Sequence, residues 1–131
     1  MERVRSDGGM AEHGERFGKV TPRDQIALYR AAATYVQTGR MPNPETIRKE
    51  FDKRIRTPAL QAQLSADLEI WGIQLTQTHL QNGTFEAIFT RTTDQGTRSS
   101  LIRIDRAYKT ALLDGREGTY PPHPRATLPS A

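Results

Sequence analysis

Acidic and histidine side chains are the residues of this 131-residue sequence that could carry acid–base or metal chemistry. Asp67 and Glu69 are two residues apart in a segment of helical period, so they point to different sides and cannot share a proton. His79 lies near the predicted end of that helix, where positive charge is mildly favourable. His13 and His123 lie in segments with little apolar pattern. Without a nucleophile context or metal-ligand spacing, the sequence predicts no catalysis, no cofactor and no metal.

The glycine-rich segment 14–19 has the outline of a phosphate-binding loop. The spacing between Gly14 and Gly18 is three residues instead of four. Val20 also stands where a Ser or Thr hydroxyl would have to reach the metal ion of such a loop. We therefore exclude nucleotide binding at this segment.

Composition limits the classes of protein that the sequence can represent. The formal net charge is +4 and there is no cysteine, which excludes disulfides and thiolate metal sites. The first twenty residues lack the apolar region of a signal peptide, and no run reaches the ~18 apolar residues of a membrane span. We expect a cytoplasmic protein, without membrane contact, whose basic charge permits an anionic partner such as nucleic acid.

Three helix starts are visible as a capping residue followed by proline, at Thr21-Pro22, Asn43-Pro44 and Thr57-Pro58. The first helix is expected to end before Gly39, and the second to present Ile47 and Phe51 to the interior. The third is predicted to run from Pro58 to about Gln81, because apolar residues recur along it at helical spacing. The residues that form this stripe are Leu60, Leu64, Leu68, Trp71 and Leu75.

The pattern changes to alternation in the second half of the chain. Segments 84–93 and 101–104 read as strands joined by a turn at Asp94-Gln95-Gly96, which predicts a β-hairpin over about 84–104. A short helix from Asp105 to Leu113 is predicted to follow. The predicted fold is α+β: a three-helix, helix-turn-helix-like core, a β-hairpin wing and a short C-terminal helix. We expect a flexible arm over 1–20, one domain over 21–115, and a Pro-rich, disordered tail over 116–131.

Basic residues are concentrated in two of these elements, as in a winged helix that grips phosphates. Between residues 40 and 56 there are six basic residues against three acidic ones. The predicted DNA-binding residues are Arg40, Arg48, Lys49, Lys53, Arg54 and Arg56, with Arg91 and Arg98 on the wing.

The segment 32–48, AATYVQTGRMPNPETIR, contains a helix, a Gly-plus-basic turn with Pro, and a second helix carrying Ile followed by Arg. It resembles the start of the N-terminal DNA-binding domain of plasmid replication-region regulatory proteins. The resemblance continues to Leu68 and Trp71 and covers about residues 30–71. It implies a plasmid- or phage-borne regulator of transcription or replication that binds double-stranded DNA.

Two observations favour other interpretations. The predicted third helix has no Lys or Arg but contains Asp67 and Glu69, which would repel phosphates. Glu45–Lys49 and Glu50–Arg54 have i,i+4 spacing, so the basic residues fit a solvated, self-paired helix face equally well. The alternative function is a protein–protein interaction module, an accessory or inhibitory protein of a mobile element. It would act through the hairpin edge or through the third helix, which could also form a homodimer.

Overall fold

A computed structural model of the chain describes residues 15–81, 83–105 and 110–121. In this part of the chain a short strand precedes three helices, and a run of four strands follows them. The elements are β1 (Glu15–Phe17), α1 (Pro22–Thr38), α2 (Pro44–Glu50), α3 (Thr57–Ile70), β2 (Gln74–His79), β3 (Thr84–Thr93), β4 (Gly96–Asp105) and β5 (Thr110–Glu117).

The first helix begins and ends where the sequence predicts. The Thr21 hydroxyl accepts a hydrogen bond from the backbone N–H of Asp24, and the Asp24 carboxylate accepts one from the backbone of Thr21. This capping box satisfies two backbone donors that the helix cannot use. At the other end Gly39 adopts the left-handed conformation, with φ 87°. α1 is the central element of the core, with eight buried residues from Ile26 to Val36.

The next two helices are only partly as predicted. Asn43 caps α2 as expected, since its side chain accepts a hydrogen bond from the backbone N–H of Glu45. The Thr57 cap is wrong: α3 begins at Thr57 itself, and its N-cap residue, Arg56, makes no side-chain cap bond. The extension of α3 to Gln81 is also wrong. The chain leaves the helix after Ile70 through Gly72, whose positive φ of 70° stops further helical turns.

The predicted hairpin is confirmed, but it lies in the interior of a larger sheet. β3 and β4 pair in antiparallel fashion around the Asp94-Gln95 turn, from Thr93–Gly96 to Thr84–Asp105. β2 pairs with the other side of β3 and β5 with the other side of β4. The complete antiparallel order is β1-β5-β4-β3-β2.

One face of the sheet carries the helices. Phe85, Ala87 and Phe89 of β3 lie on one side of the strand and join the cluster built around α1, whereas Ile88 between them packs on the opposite face. On the opposite face a smaller cluster forms from Leu101, Leu112 and Tyr120. We call these two sides the helix-bearing face and the second face.

The predicted winged helix is therefore wrong. The strand region is a sheet on which three helices pack, not a two-stranded wing attached to a helical core. The predicted C-terminal helix over 105–113 is also wrong where it is described, because Thr110–Glu117 is strand β5. Pairing with β4 fixes β5 so that Ala111 and Leu113 lie on the same buried face of the sheet. This long-range pairing overrides the helical propensity of the local sequence. Residues 106–109 of that prediction lie outside the described residues.

The folded unit also extends past the predicted limits of 21 and 115. β1 belongs to the segment expected to be an arm, and it pairs with β5. Tyr120 belongs to the expected tail, and its hydroxyl donates a hydrogen bond of 2.8 Å to the Asp114 carboxylate. The remainder of both predicted segments, 1–14 and 122–131, lies outside the described residues.

Candidate functional site

Five of the predicted DNA-binding residues lie in or after α2, and two of them are engaged by acids. Arg48 Nε is 2.9 Å from Asp24 Oδ1 on α1. Arg54 holds Asp52 through two bonds, of 3.1 Å from Nε and 3.0 Å from Nη2. Lys49, Lys53 and Arg56 are exposed and make no ion pair with any described residue. The unpaired positive charge of this segment is therefore confined to three side chains.

The other three predicted residues lie near the end of the β3–β4 hairpin. Arg91 Nε donates a hydrogen bond of 2.9 Å to the Trp71 carbonyl. Arg98 Nε is 3.1 Å from Glu117 Oε2, and its Nη1 donates to the Val36 carbonyl at 3.4 Å. Arg40 is exposed and follows Gly39, which lies beside the Arg98 guanidinium. Two of these arginines thus hold the hairpin to the ends of α1 and α3.

The two groups of basic residues are at opposite ends of α1. Arg48 contacts Asp24 in the first turn, whereas Arg98 contacts Val36 in the last. Twelve residues of α-helix separate those contacts by about 18 Å along the axis. The structure brings Arg48–Arg56 together and brings Arg40, Arg91 and Arg98 together, but it does not bring the two groups into contact.

The two predicted i,i+4 ion pairs, Glu45–Lys49 and Glu50–Arg54, are not among the ion pairs of the described residues. α2 ends at Glu50, so Arg54 is not on the same helix and pairs with Asp52 instead. Sequence reasoning also passed over Arg23, whose guanidinium donates to the carbonyls of Ile55 at 2.9 Å and Asp52 at 3.2 Å. Arg23 lies within the capping sequence at the start of α1, and no residue pattern there predicts contacts with residues 29 and 32 positions further along the chain.

A second exposed feature is the outer edge of β2, which the sequence placed inside a helix. β2 is the last strand of the sheet, and it pairs with β3 on one side only within the described chain. Its six residues, QLTQTH, include no Lys, Arg, Asp, Glu or Pro. Gln74 and Thr76 on the second face and Gln77 and His79 on the helix-bearing face are exposed. On both faces of the sheet, side chains of this edge strand are therefore exposed.

The direction of the backbone groups along β2 follows from the bond that closes its turn with β3. The Leu80 N–H donates to the Thr84 carbonyl at 2.7 Å, so residue 80 faces β3. In an antiparallel strand successive residues turn their N–H and C=O groups to opposite sides. Leu75, Gln77 and His79 therefore direct their backbone groups away from β3. The edge offers three donors and three acceptors to an extended chain.

Gln77 is held in place from the core. The Tyr29 hydroxyl of α1 donates a hydrogen bond of 3.0 Å to Gln77 Oε1. Burial raises the pKa of Tyr29 to about 12, so this phenol remains a donor at neutral pH. This bond uses one lone pair of the side-chain carbonyl, so the second lone pair and the Gln77 amide N–H2 are left for a partner.

The other edge of the sheet is different, because the described part of β1 has three residues and two of them are charged. Short, charged edge strands are the usual protection against unwanted pairing. β2 is twice as long and lacks that protection. Its outward backbone groups have the arrangement to which an extended polypeptide adds a strand.

Comparisons of the chain with protein-family models, curated proteins and solved structures give no match. No helix in the described part of the chain has the length and apolar character needed to cross a bilayer. Function must therefore be argued from the two exposed features alone.

Proposed function

We propose that this chain is a non-catalytic protein-interaction module whose partner adds a β-strand to the outer edge of β2. The observation that carries this proposal is the uncharged, six-residue edge strand with exposed residues on both faces. Strand addition gains affinity from main-chain hydrogen bonds and specificity from side-chain pockets along the strand. We keep a cytoplasmic location as part of this proposal, because a chain without cysteine fits a reducing compartment.

The side chains beside the edge support a polar rather than a charged partner segment. On the helix-bearing face the added strand would lie next to Leu75, Gln77 and His79. On the second face it would lie next to Gln74, Thr76 and Thr78. Such neighbours favour β-branched and amide side chains, which pair well across strands.

The test is capture of a binding protein by the full chain, compared between two variants with the same charge change. Gln77→Lys places a cation on the edge, whereas Gln61→Lys places one on the exposed surface of α3. We expect the wild type and Gln61→Lys to retain the same protein after nuclease treatment, and Gln77→Lys to lose it. Equal retention by Gln77→Lys would contradict strand addition at β2.

A second candidate function is binding of double-stranded DNA through the segment 40–56, in an accessory or regulatory role. The observation that favours it is the set of exposed cations Lys49, Lys53 and Arg56, which pair with no acid among the described residues. Unpaired cations are available to phosphates, and such contacts do not depend on base sequence.

Gel shifts over a salt series test this second candidate. Phosphate contacts predict a steep loss of affinity between about 50 and 200 mM salt. Charge reversal in the double variant Lys49→Glu/Lys53→Glu should weaken binding further without unfolding the domain. Affinity that is independent of salt, or unchanged in the double variant, would remove this surface from consideration.

A further inference from the structure

We infer that the strand which β2 accepts is β2 of a second copy of this chain, antiparallel to the first and related to it by a two-fold axis beside Gln77. This inference rests on the proposed function and names the partner. Joining two copies in this way would make one continuous sheet of ten strands from two five-stranded ones.

The symmetry limits which residues can lie opposite one another. A two-fold axis perpendicular to the sheet keeps both helix layers on the same side, so paired residues must share a face. Residues of one face alternate along β2, and the axis must therefore pass beside a residue and not between two. The central positions of β2, Thr76 and Gln77, are the two candidates.

The backbone groups favour Gln77. An axis there pairs Gln77 with Gln77 of the second copy, and Leu75 with His79, so every outward-facing residue of β2 finds another. An axis at Thr76 would instead place His79 opposite Ile73. The Ile73 N–H already donates to the Leu68 carbonyl at 2.9 Å, as part of the turn that ends α3. The Thr76 axis thus loses hydrogen bonds that the Gln77 axis makes.

The side chains also match about Gln77, because the sequence Thr76-Gln77-Thr78 reads the same in both directions. Each Thr76 lies opposite Thr78 of the second copy, and Thr–Thr pairs stabilise antiparallel sheets. At the axis, each Gln77 has an amide N–H2 to donate and a second carbonyl lone pair to accept, since the bond from Tyr29 uses only one lone pair. β2 itself carries no Asp, Glu, Lys or Arg, so pairing the two strands brings no such side chains of the same sign together along them, although the chain as a whole is basic.

The contact is small, which determines how it must be measured. A strand pair of six residues buries well under the ~1,600 Å² of a standard protein interface. We therefore expect a reversible dimer that forms on concentration, and a covalent trap is the most sensitive probe of it.

The test uses single cysteines in the full chain, which has none of its own. Any disulfide in Gln77→Cys must then join two copies. In a hydrogen-bonded antiparallel pair the Cα atoms are about 5.5 Å apart, within the range that a disulfide spans. We expect Gln77→Cys to form linked dimers under mild oxidation at least tenfold faster than Gln61→Cys, its matched control on α3.

Sedimentation of the uncrosslinked chain over a concentration series gives the second measurement. Gln77→Lys brings two cations together at the axis and should weaken self-association at least tenfold, whereas Gln61→Lys should not change it. A cooperative urea transition with the wild-type slope shows that each variant is folded. Linking that is fastest in Thr76→Cys would overturn the Gln77 axis.

The two proposals fail in different ways. If Gln77→Cys links no faster than Gln61→Cys, yet Gln77→Lys loses a captured protein, self-pairing is wrong and strand addition to another protein remains. If neither self-association nor capture depends on residue 77, both proposals are wrong.

Discussion

The segment 40–56 and the edge of β2 are both exposed, but they offer a partner different kinds of group. The segment 40–56 has six cations, and Arg48 and Arg54 are held by Asp24 and Asp52. β2 has no Lys, Arg, Asp or Glu, yet its outward backbone groups have no strand to bond within the described chain. The most highly charged segment of the sequence is therefore not the surface with the most unpaired hydrogen-bonding groups.

The physical reason is that side-chain charges can be neutralised locally, whereas backbone groups at a sheet edge cannot. Arg54 reaches Asp52 two residues away, and Arg48 reaches across to α1. The N–H and C=O groups of Leu75, Gln77 and His79 are fixed by the strand and bond to water unless a second strand lies beside them. Four predictions break or sharpen this contrast.

The largest effect is expected from proline at two adjacent positions of β2. Thr76→Pro removes an N–H that points at β3 and should lower the free energy of unfolding by about 2–3 kcal/mol, because a buried acceptor is left unsatisfied. Gln77→Pro removes an outward N–H together with the side-chain acceptor of the Tyr29 hydroxyl, so relative to Gln77→Ala, which shares the second loss, it should cost no more than about 1 kcal/mol. Urea unfolding of both variants measures the difference. Equal costs would mean that residue 77, too, bonds within the chain.

Arg23 should contribute more to the free energy of unfolding than the predicted DNA-binding cations near it. Its hydrogen bonds to the Ile55 and Asp52 carbonyls fix the segment after α2, so Arg23→Ala should lower the free energy of unfolding by about 1–2 kcal/mol. Arg56→Ala removes an exposed cation and should stay within about 0.5 kcal/mol of wild type. A comparable loss in both variants, measured by urea unfolding, would contradict this assignment.

Charge reversal in the segment 40–56 should leave the edge strand unaffected. The double variant Lys49→Glu/Lys53→Glu changes exposed side chains without described ion pairs, so its free energy of unfolding should remain within about 0.5 kcal/mol of wild type. Its self-association in sedimentation should also equal that of wild type at moderate salt. A large change in association would place this segment, and not β2, at the interface.

The smallest effect is a shift in titration. The side-chain hydrogen bond from Arg54 holds the pKa of Asp52 below its usual range. A lowered pKa in the folded state favours folding above the unfolded pKa, and this contribution is lost as the pH falls through the folded value. In Arg54→Ala the Asp52 pKa should rise toward its usual value, as measured by NMR titration of the side-chain carboxyl. An unchanged pKa would show that Arg54 does not hold Asp52 in solution.

Local signals predicted the parts of the fold that depend on local physics. The Thr21 and Asn43 caps, the Gly39 stop and the Asp94-Gln95-Gly96 turn each depend on residues within one turn of chain. The α3–β2 boundary was missed because Leu75 continues the apolar spacing of Leu68 and Trp71. Gly72, with its positive φ, lies where the helix ends.

The candidate site could not be predicted for the same reason. Once residues 74–79 were assigned to a helix, the only free edges to consider were those of the hairpin, and the structure covers both of them, with β2 beside β3 and β5 beside β4. The role of β5 was missed as well, because only pairing with β4 makes Ala111 and Leu113 part of a sheet. Sheet order depends on long-range pairing, and no residue pattern in a single sequence reports it.

Residue-resolved amide hydrogen exchange along β2 tests the central claim most directly. In the dilute full chain, the account predicts fast exchange at Leu75, Gln77 and His79 and slow exchange at Thr76 and Thr78. At high concentration the three fast amides should become protected while the others do not change. Slow exchange of Leu75, Gln77 and His79 at every dilution, or fast exchange at every concentration, would contradict an edge that accepts a strand from a second copy.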